Sequence, residues 1–276
     1  MTTVADPGPP NTAGPAKMRP ALPKKYNQNY DYHYHYIRLE MQYRMPPQST
    51  EFDFPGVTPS RQKRSRETTA ALLQAGADML RTRSLAELSI EALCTKVGAT
   101  VGAFYSRFES KEAYFNTLIE LAARDCNAML SRMAQNEQLK DVSLPDLCRL
   151  LVSAIIGWMR DHEGVLRAAL QHDDTRPDRW STFKGLARAS VARATPLLLR
   201  VMGKGRKAAK TRGIAVAFQV VLGTLVNAIL NDPGPLSLHV KEMEVRLGNC
   251  LLLLLEAEMN PASPKTSAGA SSRRKK

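Results

Sequence analysis

The chain has 276 residues, 43% of them hydrophobic, and 39 Lys+Arg against 26 Asp+Glu give a formal charge of +13. That apolar share can build a core and excludes a wholly disordered chain. No run approaches 18 consecutive apolar residues, which argues against a membrane-spanning helix, and Pro7, Pro9 and Pro10 stand where an export signal needs an apolar stretch. The four cysteines (Cys94, Cys126, Cys148 and Cys250) are far apart and lack a partner at metal-ligand spacing. Free buried thiols in a reducing cytoplasm are expected, with no metal site and no disulfide framework. The excess of cations points to a polyanion as partner, nucleic acid or an anionic membrane surface. It is unevenly spread: residues 61–112 carry nine basic and six acidic groups, whereas the last 17 residues carry five basic and none acidic.

Residues 1–60 are rich in proline, lack apolar periodicity and include a run of Tyr, His, Asn and Asp at 26–36. They are predicted to form a disordered extension, because such a segment buries too little apolar surface to offset its ordering entropy. Residues 68–80 place Leu72, Leu73, Gly76, Ala77 and Leu80 on one helical face. Arg61, Lys63, Arg64 and Arg66 stand at its start, the wrong end for the helix dipole. They read either as a basic arm that meets phosphate or as a solvated flank.

Next, Ser89 and Gly98 bracket residues 90–97, Thr100 precedes 101–106, and Ser110 opens a longer helix to about residue 133. Serine and threonine cap helix starts, and glycine supplies the left-handed stop. Two short helices joined by a glycine-containing turn make a helix-turn-helix. Further helices are predicted at 144–159, 163–171, 180–201 (with Pro196 expected to kink it), 213–230 and 238–258, a basic connection occupying 204–212. The tail, residues 260–276, is predicted to be disordered and basic.

The block from 69 to 115 resembles the DNA-binding domain of TetR-family transcriptional regulators. The resemblance rests on Leu72, Leu73 and Ala75, on Ile90 and Leu93, and on the spacing of Gly98, Gly102, Tyr105, Phe108, Lys111 and Glu112. Ser84, Leu88 and Ala99 depart from the family's usual Gly, Thr and Val. The resemblance implies an all-α fold, with a three-helix head at 61–112 and a helical ligand-binding and dimerisation domain at 113–259. It also implies a non-enzymatic repressor without a cofactor, bound as a homodimer to a near-palindromic operator and released by a small-molecule effector. The alternative is an all-helical small-molecule binding protein or enzyme whose N-terminal unit only packs.

Candidate DNA contacts follow from residue chemistry. Val101, Gly102 and Ala103 supply the small surface that lets a recognition helix approach base pairs. Ser89, Thr100, Tyr105, Ser106 and Lys111, with Arg61, Lys63 and Arg64, supply donors for phosphate. Arg107 reads as the best candidate for hydrogen bonding to a base edge, with phosphate contact as its alternative. In the second domain, Trp158, Met159, His162, Phe183, Phe218 and Gln219 combine apolar walls with a few polar groups, the mixture found in ligand pockets. The apolar segments 213–230 and 238–258 are the expected dimer interface.

Overall fold

The computed structural model describes residues 54–59, 62–171, 179–232 and 234–259. The described residues are all-α. Nine α-helices occur among them: α1 Lys63–Leu80, α2 Ile90–Val97, α3 Val101–Tyr105, α4 Lys111–Gln135, α5 Leu144–Asp161, α6 Glu163–Gln171, α7 Arg179–Val201, α8 Lys207–Asn231 and α9 Lys241–Met259. A 3-10 turn, Glu137–Lys140, follows α4. The runs at Tyr26–Tyr36 and in the tail lie outside the described residues.

Local chemistry sets the short helices. The Ser89, Thr100, Ser110 and Ser143 hydroxyls accept from the Ala92, Ala103, Ala113 and Asp146 amides, each satisfying one orphan donor. Gly98 ends α2 at φ 69°, and its amide and that of Ala99 take up carbonyls of α2. Ser84, at a position where the family favours glycine, donates from both its amide and its hydroxyl to the Glu87 carboxylate.

Helix α9 begins at Lys241 rather than 238, and three larger differences from the sequence expectation bear on the site. Helix α1 begins at Lys63 rather than 68, so Lys63, Arg64 and Arg66 belong to its opening turn and not to a preceding arm. Helix α8 begins at Lys207, taking two-thirds of the basic connection into its first turns. Residues 54–59, expected within the disordered extension, are packed: Phe54 and Val57 are buried, and Val57 forms an isolated antiparallel bridge with Phe108. The physical reason is a Pro55–Gly56 turn that aims both apolar side chains inward. Gly56 has φ 77°, and a Cβ there would lie 2.7 Å from that of Ala113. The anticipated kink at Pro196 leaves α7 continuous to Val201.

Two cores result. The head core joins Leu72, Leu80, Leu93, Phe104, Phe108, Tyr114 and Phe115, and it reaches into Val165, Ala168 and Ala169 of α6. The expected domain edge at 112 therefore falls inside a shared element, since α4 contributes its first turns to the head and the rest to the second domain. The larger core is built from α5, α7, α8 and α9, with α9 packed most extensively on α5. By length and composition α8 could cross a membrane, a property that Gly213, Gln219, Thr224 and Asn227 hide from a search for unbroken apolar runs. Only 44% of that stretch is buried, so α8 shows apolar surface on the side away from the core.

Candidate nucleic-acid interface

Helix α3 has five residues, too short to persist alone in water. Its underside is fixed by Phe104, which is fully buried with its ring 5.1 Å from Phe108 and 5.3 Å from Tyr114. The Tyr114 hydroxyl donates to the Leu72 carbonyl of α1 at 2.7 Å. Burial drives the Tyr114 phenol far above its ordinary range, so it stays a neutral donor.

The outer face carries the expected small surface. Gly102 is exposed, Val101 is 37% exposed and Tyr105 is 54% exposed, its ring edge-on to Phe104. Ala103 is half-buried. Exposing a valine and a tyrosine on so short a helix is costly in water unless a partner covers them. Beside this face an open groove of about 420 Å³ runs between α1 and the turn, lined among others by Arg64, Glu67, Thr68, Gly98, Thr100 and Arg107. Arg64 is exposed along it, and Lys63, exposed one residue earlier, stands 4.0 Å from Glu67.

The remaining candidates are more engaged. Ser89 accepts from the Ala92 amide at 3.2 Å and donates to Glu91 at 2.7 Å, which holds that carboxyl below its usual range. Thr100 accepts from the Ala103 amide. Ser106 donates to the Ala103 carbonyl at 3.0 Å. Lys111 is half-buried with Nζ 3.4 Å from the Ala86 carbonyl, and desolvation lowers its pKa. Arg61 lies outside the described residues.

Arg107 does not reach outward as a base reader does. Its Nη1 donates to the Ala103 carbonyl at 2.5 Å and to Ser106 Oγ at 3.2 Å, its Nη2 donates to Ser65 Oγ at 3.2 Å, and Nε is buried without a partner. The guanidinium ties the end of α3 to the first turn of α1. Ser65 and the 54–59 strap, whose Thr58 amide donates to the Arg107 carbonyl at 2.8 Å, are the functional residues that sequence reasoning missed. The Pro-Gly turn between apolar residues was the available signal for the strap; nothing local signals Ser65.

The six ligand candidates separate. Trp158, His162 and Phe183 gather at the seam of α4, α5 and α7. Trp158 donates from Nε1 to the Ala122 carbonyl at 3.0 Å, His162 Nε2 lies 3.4 Å from Asp125, and the two rings are 5.7 Å apart. Phe183 packs where the cores meet. Met159 and Phe218 are buried core residues. Gln219 is exposed between Val216 and Val220, on the face of α8 turned from the core, and lines no pocket with the others. Buried Cys126 and Cys148 are both pushed up to about 12 by desolvation, so they are inert thiols.

Comparison with known proteins converges on one family. Residues 72–118 match the family described as "Bacterial regulatory proteins, tetR family". The chain is 28% identical over 116 residues to the HTH-type transcriptional regulator EthR of Mycobacterium tuberculosis, covering 41% of this chain and 53% of that protein. It is 29% identical over 108 residues to the nucleoid occlusion factor SlmA of Marinomonas sp., covering 39% and 52%. The chain thus spans about half the length of these curated relatives. The crystal structure of a TetR-family regulator from Mesorhizobium loti superposes with a TM-score of 0.55 at 16% identity, covering 72% of this chain and 98% of that one, a likeness of fold. Residues 72–118 thus form a domain similar to that of the tetR family of bacterial regulatory proteins.

Proposed function

We propose that the protein is a cytoplasmic DNA-binding transcriptional regulator that acts as a homodimer. Its two recognition helices would enter the major groove about 34–36 Å apart on a near-palindromic operator. The observation that carries this reading is the outer face of α3: Val101, Gly102 and Tyr105 are exposed on a helix pinned from beneath and flanked by Arg64. A unit that only packs has no use for that exposure. We also propose repression relieved by a small-molecule effector, taken up at the seam of Trp158, His162 and Phe183. An effector that binds the wrongly spaced dimer more tightly draws the population away from DNA.

The test is selection of sequence from random duplexes by the full chain at physiological salt. One near-palindromic sequence is expected to be enriched. Tyr105→Ala should weaken binding to it by roughly tenfold, the value of one good contact. Arg64→Ala should lower the salt slope by about 0.9. Enrichment of no sequence, or an undiminished affinity in Tyr105→Ala, would return the N-terminal unit to a packing role.

A further inference from the structure

Residues 99–106, the turn and the helix α3, include no Arg, Lys, Asn, Gln, Asp or Glu. Those are the side chains that tell base pairs apart by hydrogen bonds in the major groove: Arg or Lys on guanine, Asn or Gln on adenine, Asp or Glu on cytosine. The nearest such groups outside the helix are turned elsewhere. Arg107 is spent on Ala103, Ser106 and Ser65, and Lys111 points to the Ala86 carbonyl. Glu109 leans on the strap, its Oε2 3.6 Å from where a Cβ on Gly56 would stand. Lys96 lines a separate groove between α1 and α2, with Asp78 and Arg83.

Three hydroxyls remain. Ser106 Oγ donates to the Ala103 carbonyl and accepts from Arg107. Thr100 accepts from the Ala103 amide and keeps its own proton, and the Tyr105 phenol is exposed. A hydroxyl both donates and accepts, so it bonds either base pair and does not choose between them.

What the face does offer is apolar relief. Val101 and Tyr105 are four residues apart, hence neighbours on one side of the helix, and both are exposed. Gly102 stands beside them without a side chain, and a Cβ built there meets only Thr100 Oγ1, at 3.8 Å. Packing therefore does not demand this glycine, although glycine weakens a helix relative to alanine. The three residues shape an outward notch with two apolar walls. One base carries a group of matching chemistry: the C5-methyl of thymine, which projects into the major groove.

We infer that α3 reads thymine, the C5-methyl of a T·A pair entering the notch over Gly102 between Val101 and the Tyr105 ring. This apolar contact, and not a pair of hydrogen bonds, sets the preferred base pair. The inference rests on the proposed reading of the head as a DNA-binding unit and adds the class of sequence that is bound. Burying one methyl group is a weak contact, so discrimination gathers from both half-sites of the near-palindrome.

The experiment takes the duplex that the full chain selects from random sequence and replaces its thymines by uracil, one position at a time in both half-sites. Uracil pairs with adenine as thymine does and lacks only the methyl. A loss is expected at one thymine of each half-site, roughly fourfold per methyl and about fifteenfold for the two together. In Val101→Ala the uracil penalty should shrink toward nothing, because the wall that meets the methyl is gone. Gly102→Ala fills the notch: binding to the thymine duplex should fall by roughly tenfold. Its melting temperature should hold or rise, alanine being the better helix former, which separates the loss from a folding defect. Uracil tolerated at every thymine overturns the inference, as does undiminished binding by Gly102→Ala. A uracil penalty of equal size in Val101→Ala places the methyl's effect in the duplex itself and overturns it too. In each of these cases a sequence is still selected, so the head remains a DNA reader by other contacts. Selection of no sequence fails the head reading first, and the thymine contact with it.

Discussion

The guanidinium of Arg107 is drawn two ways, toward the groove that it lines and toward the carbonyl and hydroxyl that it holds. Geometry decides for the second. A base edge needs two free parallel donors, and here Nη1 is spent on Ala103 and Ser106 and Nη2 on Ser65. Arg107 is thus a positioning residue that sets the tilt of α3 against α1. Arg107→Ala should weaken binding to selected and random duplexes by the same factor, about tenfold for 1–2 kcal/mol of lost charge-assisted bonds, and leave the preferred sequence unchanged. Lysine should not restore it, having no fork to span Ala103 and Ser65. Sequence selection by the variant decides the matter: relaxed preference at one base pair would mean that Arg107 reads a base after all. Spacing alone could not show these bonds of Arg107, for a plain reason. Its partner Ser65 lies 42 positions upstream, and spacing within the helix-turn-helix says nothing about it. The caps Ser89, Thr100 and Ser110 were legible because each bond closes within three residues.

Among the elements, α6 makes the joint between head and second domain. Its Gly164 lies so close to α1 that a Cβ would stand 2.5 Å from the Leu80 carbonyl carbon and 2.6 Å from the Arg81 nitrogen. Arg167 donates to the Leu80 and Arg81 carbonyls, which are the free acceptors at the end of α1. Glu163 holds Arg167 at 3.2 Å and His239 of the α8–α9 connection at 2.7 Å, and Arg81 reaches back to the Asp161 carbonyl. Any shift of α6 is therefore felt by α1, to which Arg107 ties α3. Because the obstructing atoms at Gly164 are backbone, Gly164→Ala must push α6 off α1, an overpacking cost of about 1–3 kcal/mol. A lower melting temperature is expected, together with weaker binding to the selected duplex. If melting falls but affinity holds, the joint stabilises the fold without setting the head. Periodicity found α6 to the residue, 163–171, but could not foresee that its buried face serves the head core. The strap at 54–59 escaped likewise: six residues with one Pro-Gly turn carry no period, and their burial depends on Phe108 and on Arg124, whose guanidinium lies 4.3 Å over the Phe54 ring.

For the whole molecule, the unburied apolar side chains are the guide. Val216 and Val220 on α8 and Val245 and Leu253 on α9 are 43–65% exposed, and all four fall in the two segments expected to pair with a second copy. An isolated exposed leucine means little, but four large apolar residues on two adjacent antiparallel helices form one face. Gly223, with nothing within 4 Å of a built Cβ, leaves room on that face for a close approach. A two-fold axis here would join four helices, as the proposed homodimer on a near-palindromic site requires. Leu253 is the most exposed of the four at 65%, and it occurs twice in a dimer. Losing about 1.5 kcal/mol at each copy, before any charge repulsion, moves the dimer constant by roughly a hundredfold. Leu253→Glu should therefore sediment as a monomer at concentrations where the parent chain is a dimer. Its melting should be little changed when extrapolated to the monomer, because the side chain is not in the core. Binding to the near-palindromic duplex should fall steeply while binding to a single half-site is kept. A Leu253→Glu protein that remains dimeric would move the two-fold axis to another face and, with it, the spacing of the recognition helices.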